Sequence, residues 1–150
     1  MPPFDRFTTE HWTISFPSDW IDRSESDEAP YFESPQGDKG LYVKLWRMSD
    51  QEHLDSRTLV QHFQEVEFQS FFSPKDAWEL IHRTTEGDES SASGLWEGIN
   101  GENKYWICGK QIAAGNYVLR ATFHDYYSAD ASASREFFSI VMDSLALTNI

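Results

Sequence analysis

Hydrophobic and polar positions alternate with a period of two through most of this chain, and the period lengthens in only two segments. Residues 40 to 48, GLYVKLWRM, place Leu41, Val43 and Leu45 on one parity and Tyr42, Lys44, Trp46 and Met48 on the other, which in a strand are opposite faces. Upstream, Trp12, Ile14 and Phe16 mark a strand closed by Pro17-Ser18-Asp19, with Trp20 as a plug, and Tyr31-Phe32-Glu33 form a short second strand before the turn at Ser34-Pro35-Gln36-Gly37-Asp38. Ser49 and Glu52 have capping-box spacing, and Leu59, Val60, Phe63 and Val66 then recur at helical intervals until Ser73-Pro74 stops the helix near residue 72. From residue 76 the period is two again: Trp78, Leu80 and His82 alternate with Glu79, Ile81 and Arg83, up to Glu86-Gly87-Asp88-Glu89-Ser90. Strands at 93 to 99, 103 to 112 and 117 to 126 follow, joined by Asn100-Gly101 and Gly115-Asn116, dipeptides that supply positive φ in tight hairpins. A last helix from about residue 130 carries a wide stripe of Phe137, Phe138, Val141, Met142 and Leu145.

The order, three strands, a helix, four strands and a helix, contains no repeated βαβ unit. It predicts a single α+β domain over residues 1–150: one antiparallel sheet of six to seven strands with both helices on one face. The core parity is then Leu41, Val43 and Leu45, Tyr105 and Ile107, and Leu119, Ala121 and Phe123. The other parity carries Tyr42, Lys44, Trp46, Lys104, Trp106, Val118, Arg120, Thr122 and His124. Rings beside cations on a free sheet face form a candidate partner-binding surface of Tyr42, Lys44, Trp46, Trp106 and Arg120, since apolar patches with polar rims mark binding sites. The competing reading is cross-strand packing, in which the same rings and the Lys and Arg stems cover the sheet without a partner.

Charge narrows the partner. Twelve Lys and Arg against 25 Asp and Glu give a net charge of −13, which repels nucleic acid and anionic lipid. With aromatics at 15 % the acidity is that of a folded protein. The chain has one cysteine, Cys108, no apolar run of bilayer length, and an N-terminal MPPFDRFTTEHW without a basic n-region or apolar h-region, so a cytoplasmic location is expected. The acidic stretch Ser24-Glu25-Ser26-Asp27-Glu28 reads as a solvated loop without EF-hand spacing.

Residues that could carry catalysis do not assemble into a pattern. His11, His53, His62, His82 and His124 include no i, i+4 pair, so neither a metal nor another cofactor is expected. No G-x-S-x-G elbow singles out a serine, and Cys108 sits in a strand where a buried thiol is ordinary. Asp125 follows His124 directly and points to the opposite face of a strand, so it does not orient that imidazole.

The opening Trp12-Thr13-Ile14-Ser15-Phe16-Pro17-Ser18-Asp19-Trp20-Ile21-Asp22-Arg23-Ser24 resembles the start of small bacterial proteins of the PsbP/Mog1/DcrB-like group, whose first strand runs into a Pro-x-x-Trp turn. Within that group it is similar to the Eag-type chaperones of type VI secretion, in which Phe-x-Leu-Pro-x-x-Trp-x-Asp is followed by a loop, a strand, a helix and a four-stranded meander. The resemblance implies non-enzymatic binding: PsbP-like domains act as assembly factors, Mog1 binds a small GTPase, and Eag chaperones, as dimers, shield apolar helices of secreted effectors. The matched positions, Phe16, Pro17, Trp20 and Asp22, are of the kind that determine a fold, and the aromatic, cation-bearing strand departs from the more aliphatic groove of an Eag chaperone. A chaperone or adaptor for a secreted or membrane-associated protein is therefore the expected function. The alternatives are an acidic immunity protein that blocks a toxin, and a small hydrolase with a perturbed His124.

Overall fold

The computed structural model describes residues 3–48, 55–72 and 77–150. Residues Phe4–Thr8 (β1) and Trp12–Pro17 (β2) form a hairpin with Phe7 opposite Ile14, and Ala146–Leu147 (β10) pairs with the other edge of β2. A second sheet holds Ile21–Asp22 (β3), Tyr31–Glu33 (β4), Lys39–Arg47 (β5), Trp78–Gly87 (β6), Ser91–Asn100 (β7), Tyr105–Ala114 (β8) and Tyr117–Asp125 (β9). Its order is β3-β4-β5-β9-β8-β7-β6, antiparallel throughout. The two helices are Ser56–Phe71 (α1) and Ala131–Ser144 (α2).

Local chemistry sets the boundaries. Asp55 caps α1 by accepting the Thr58 N–H at 3.1 Å, and Asp130 caps α2 by accepting the Ala133 N–H at 2.8 Å. The expected capping box at Ser49 and Glu52, like the Ser73-Pro74 stop, lies outside the described residues. Gly115, at φ 59°, makes the two-residue β8–β9 turn. The β7–β8 turn is closed differently from expectation: Lys104, not Gly101, takes the left-handed conformation at φ 53°, while the Asn100 side chain accepts the Asn103 N–H at 3.2 Å.

The α+β class with a seven-stranded sheet stands, but the helices flank that sheet on both faces. On β8, Trp106 stacks on Phe138 of α2 with ring centroids 5.6 Å apart, and Lys110 Nζ donates to the Met142 carbonyl. The intervening parity meets α1, where Gln111 donates to Glu67 and Ala113 joins Leu59 and Val60. The register of β7, β8 and β9 runs unbroken, so these parities are true opposite faces. Consequently Tyr105 and Ile107 are on the α1 side, and Trp106 and Cys108 are in the α2-side core, the reverse of the expected assignment.

The two cores differ in kind. Between α2, the small sheet and the large sheet lies a deep apolar cluster that includes Ile14, Phe16, Phe32, Leu41, Val43, Trp106, Leu119, Phe123 and Phe138. Under α1 the apolar cluster is thin: Leu59, Val60, Ala92, Ala113 and Val118. The rest of that layer is Trp96, ringed by Phe68, Phe71 and Phe72, and a buried polar chain of Gln64, Glu67 and Gln111. Val66, expected on the buried stripe of α1, is instead exposed.

Candidate functional site

Among the described residues, helix α1 lies over β6, β7 and β8, leaving the Tyr31–Tyr42 end of the same face open. Tyr42 projects there, 40 % exposed, because β5 alternates and its other parity is spent on the α2-side core. Its ring stacks on Tyr31 across the β4–β5 pair at 4.1 Å and meets the edge of His124 at 5.5 Å. Four residues on, the Trp46 ring has Lys44 Nζ at 4.9 Å and the Arg120 guanidinium at 5.2 Å, with Phe63 of α1 against it at 5.0 Å. Cations over rings are attracted to the negative π face, most strongly for Trp. Tyr42, Lys44, Trp46 and Arg120 therefore share one face, and Lys44 pairs with Arg120 in register. Trp106 does not join them: fully buried, it donates its Nε1 proton to Glu97 at 2.8 Å on the α2 side.

The surrounding residues include several that sequence reasoning missed. Tyr31 donates to Glu33 at 2.8 Å and lies 3.1 Å from the Tyr126 hydroxyl, and burial together with these partners holds its proton well above the usual phenol range. A cavity of about 590 Å³ opens beside Tyr31 and Tyr42, lined also by Arg23, Glu25, Ser26 and Ala29. His124 is buried, with Tyr105 Oη at 2.6 Å from Nδ1 and Thr122 Oγ1 at 2.9 Å from Nε2. Burial, then the nearby Arg120, pushes its pKa down to about 3, so it is a neutral ring with both nitrogens occupied. Asp125 faces α2, accepting from Ser134 at 2.8 Å. Burial raises the Cys108 thiol, which packs on Met142, and so keeps it protonated. Among the described residues no group of three or more His, Cys, Asp or Glu side chains could hold a metal ion, and no helix is long and apolar enough to cross a membrane.

Glu67 supports the site from behind. It is buried under α1, accepts two hydrogen bonds from Gln111, and stands 4.0 Å from Arg120. Burial pushes its pKa up to about 7 against the opposing pull of Arg120, and burial likewise lowers the Arg120 pKa, so at this distance desolvation outweighs pairing for both ions. One helical turn from Gln64 and two from Val60, Glu67 interrupts the apolar stripe, and that interruption was the sequence signal for it. Because the folded pKa lies above the ordinary 4.5, the stabilising contribution of Glu67 is full below about pH 4.5 and is lost as pH rises through about 7. Glu67→Gln is expected to remove this loss, on the order of 2 kcal/mol, so that wild type minus variant stability becomes more negative from pH 5 to pH 8. A difference in melting temperature that does not change with pH would contradict the assignment.

No family model matches the chain, and no curated protein matches it in sequence. Solved structures do. The chain is similar to cyanobacterial PsbP (CyanoP) from Synechocystis sp. PCC 6803, with a TM-score of 0.70 at 14 % identity over 99 % of this chain and 94 % of that one. It is similar to the Saccharomyces cerevisiae Ran-binding protein Mog1p, with a TM-score of 0.63 at 13 % identity over 98 % and 96 %. It is also similar to LpqN, involved in cell envelope biogenesis of Mycobacterium tuberculosis, with a TM-score of 0.63 at 12 % identity over 92 % and 83 %. What is shared with all three across nearly the whole chain is architecture: this protein has the PsbP/Mog1-like fold.

Proposed function

We propose that the chain is a non-enzymatic protein-binding module, a chaperone or adaptor that holds a secreted or membrane-associated partner against the open β4–β5 face. The observation that carries this reading is the stacked pair Tyr31 and Tyr42, left uncovered by α1 and continued to the α1 edge by Trp46 with Lys44 and Arg120 on its ring, in a protein of net charge −13. Rings bury partner surface at small conformational cost, and cations beside them orient the partner through charge-assisted hydrogen bonds. Mog1p, of the same fold, is a Ran-binding protein, which is in keeping with a binding role on this scaffold. A cytoplasmic location goes with the buried, unpaired Cys108.

Tyr42 is the clean test. Its ring is 40 % exposed and its hydroxyl makes no hydrogen bond among the described residues, whereas Trp46 also packs on α1. Tyr42→Ala is expected to weaken partner binding by about 2 kcal/mol, roughly 30-fold, while lowering stability by less than about 1 kcal/mol. Calorimetric titration alongside thermal unfolding checks both. Unchanged affinity would sink this site.

A further inference from the structure

Among the described residues, the outer edge of β5 is only partly covered. β4 pairs with Gly40 to Tyr42 alone, and past it Val43 gives its N–H to the Pro30 carbonyl at 3.1 Å. Hydrogen-bonding direction alternates along an antiparallel strand, so the N–H and C=O of Leu45 point to the same side as those of Val43, beyond the end of β4. Pro30 has no N–H to return to Val43. At this place the loop of residues 22 to 30 and the β1–β2 hairpin stand apart and enclose a groove of about 560 Å³. Phe7 and Leu45 supply apolar floor, and Glu10, Asp22, Asp27 and Glu28 supply four carboxylates around it. Among the described residues Lys44 is the one Lys or Arg in the lining, and its ammonium is engaged on the Trp46 ring.

We propose that this groove takes an extended, basic segment of a partner protein, which adds as a strand to the open edge of β5. An uncovered strand edge binds extended chains through main-chain hydrogen bonds, and flanking side chains set the sequence preference. Because side chains of a strand alternate, the fitting segment carries apolar residues toward Phe7 and Leu45 and Lys or Arg toward the carboxylates. A second copy of this chain brings net charge −13 and the wrong sign. The groove borders the Tyr42 face, sharing Lys44 and Ser26 with its surroundings, but Tyr42 does not line it, so Tyr42→Ala tells the two readings apart.

The test uses a fluorescent eight-residue peptide of alternating lysine and valine, titrated by anisotropy against the full chain. Three comparisons accompany it: a glutamate-valine peptide, the lysine-valine peptide N-methylated at alternate residues, and the Asp27→Lys/Glu28→Lys variant. Both substituted side chains are exposed, so the variant is expected to unfold at the wild-type temperature. The expected result is binding of the lysine-valine peptide, at least tenfold weaker in each of the three comparisons and unchanged for Tyr42→Ala. Equal binding of the N-methylated peptide would reduce the effect to charge attraction and overturn strand addition. Equal binding by the double variant would place the peptide elsewhere. Equal binding of the glutamate-valine peptide, or no binding of the lysine-valine peptide, would overturn the proposal outright.

Discussion

Trp106→Ala is expected to lower the unfolding free energy by about 4 kcal/mol or more and to leave partner affinity of the folded fraction unchanged. The indole is fully buried, stacked on Phe138 and donating to Glu97, itself buried and held by three hydrogen bonds from Arg135 of 2.7, 3.0 and 3.1 Å. Truncation removes the ring's transfer energy, leaves a cavity between β8 and α2, and takes a donor from a buried carboxylate. Large aromatic truncations cost about 3–5 kcal/mol before that last effect is added. Against the 5–15 kcal/mol typical of a domain, this is a shift of the melting temperature by roughly 10 °C. Thermal unfolding with calorimetric binding decides it: full stability with lost binding would return Trp106 to the interface.

Gly109→Ala is expected to cost about 3 kcal/mol through the opposite fault, overpacking on the α1 side. A Cβ on Gly109 would fall 2.2 Å from Trp96 Nε1 and 2.3 Å from Cε2, inside any tolerable contact. Trp96 has no room to retreat, being fully buried with Phe68, Phe71 and Phe72 around it. Gly94→Ala is parallel, since its Cβ would meet Val60 Cγ1 at 2.4 Å and Gln64 Nε2 at 2.5 Å and lift α1 from the sheet. Overpacked cores lose about 1–3 kcal/mol, and more where rigid rings stand in the way. A melting temperature within 1 °C of wild type for Gly109→Ala would mean that α1 packs more loosely than these distances require.

What the sequence disclosed depended on how many faces of an element are buried. In β5, Leu41 and Val43 are buried while Tyr42 is exposed, so alternation reports orientation directly and the Tyr42, Lys44 and Trp46 face was legible. In β8, Trp106, Ile107, Cys108 and Gly109 are all buried because helices cover both sides, and a strand buried twice shows no usable alternation. The assumption of one covered face then put Trp106 on the wrong side. Buried Gln64, Glu67 and Gln111 read as solvent-facing positions, since their partners lie tens of residues away, as in the Gln111 to Glu67 bond. The Tyr31–Tyr42 stack joins two strands whose connecting turn was legible but whose register, Tyr31 opposite Tyr42, was not. β1 and β10 escaped notice for simpler reasons, Asp5 and Arg6 breaking the apolar pattern of one and two residues making up the other.

The central claim is that the open β4–β5 face binds a protein, and affinity capture from native lysate with quantitative mass spectrometry tests it most directly. Wild type is run beside Tyr42→Ala and beside Ile140→Ala, an exposed position on α2 that serves as the control, all three matched for melting temperature. The account predicts a partner recovered with wild type and with Ile140→Ala and depleted at least tenfold with Tyr42→Ala. Equal recovery by all three would contradict it, and would make Tyr42 and Trp46 rings that only pack across strands.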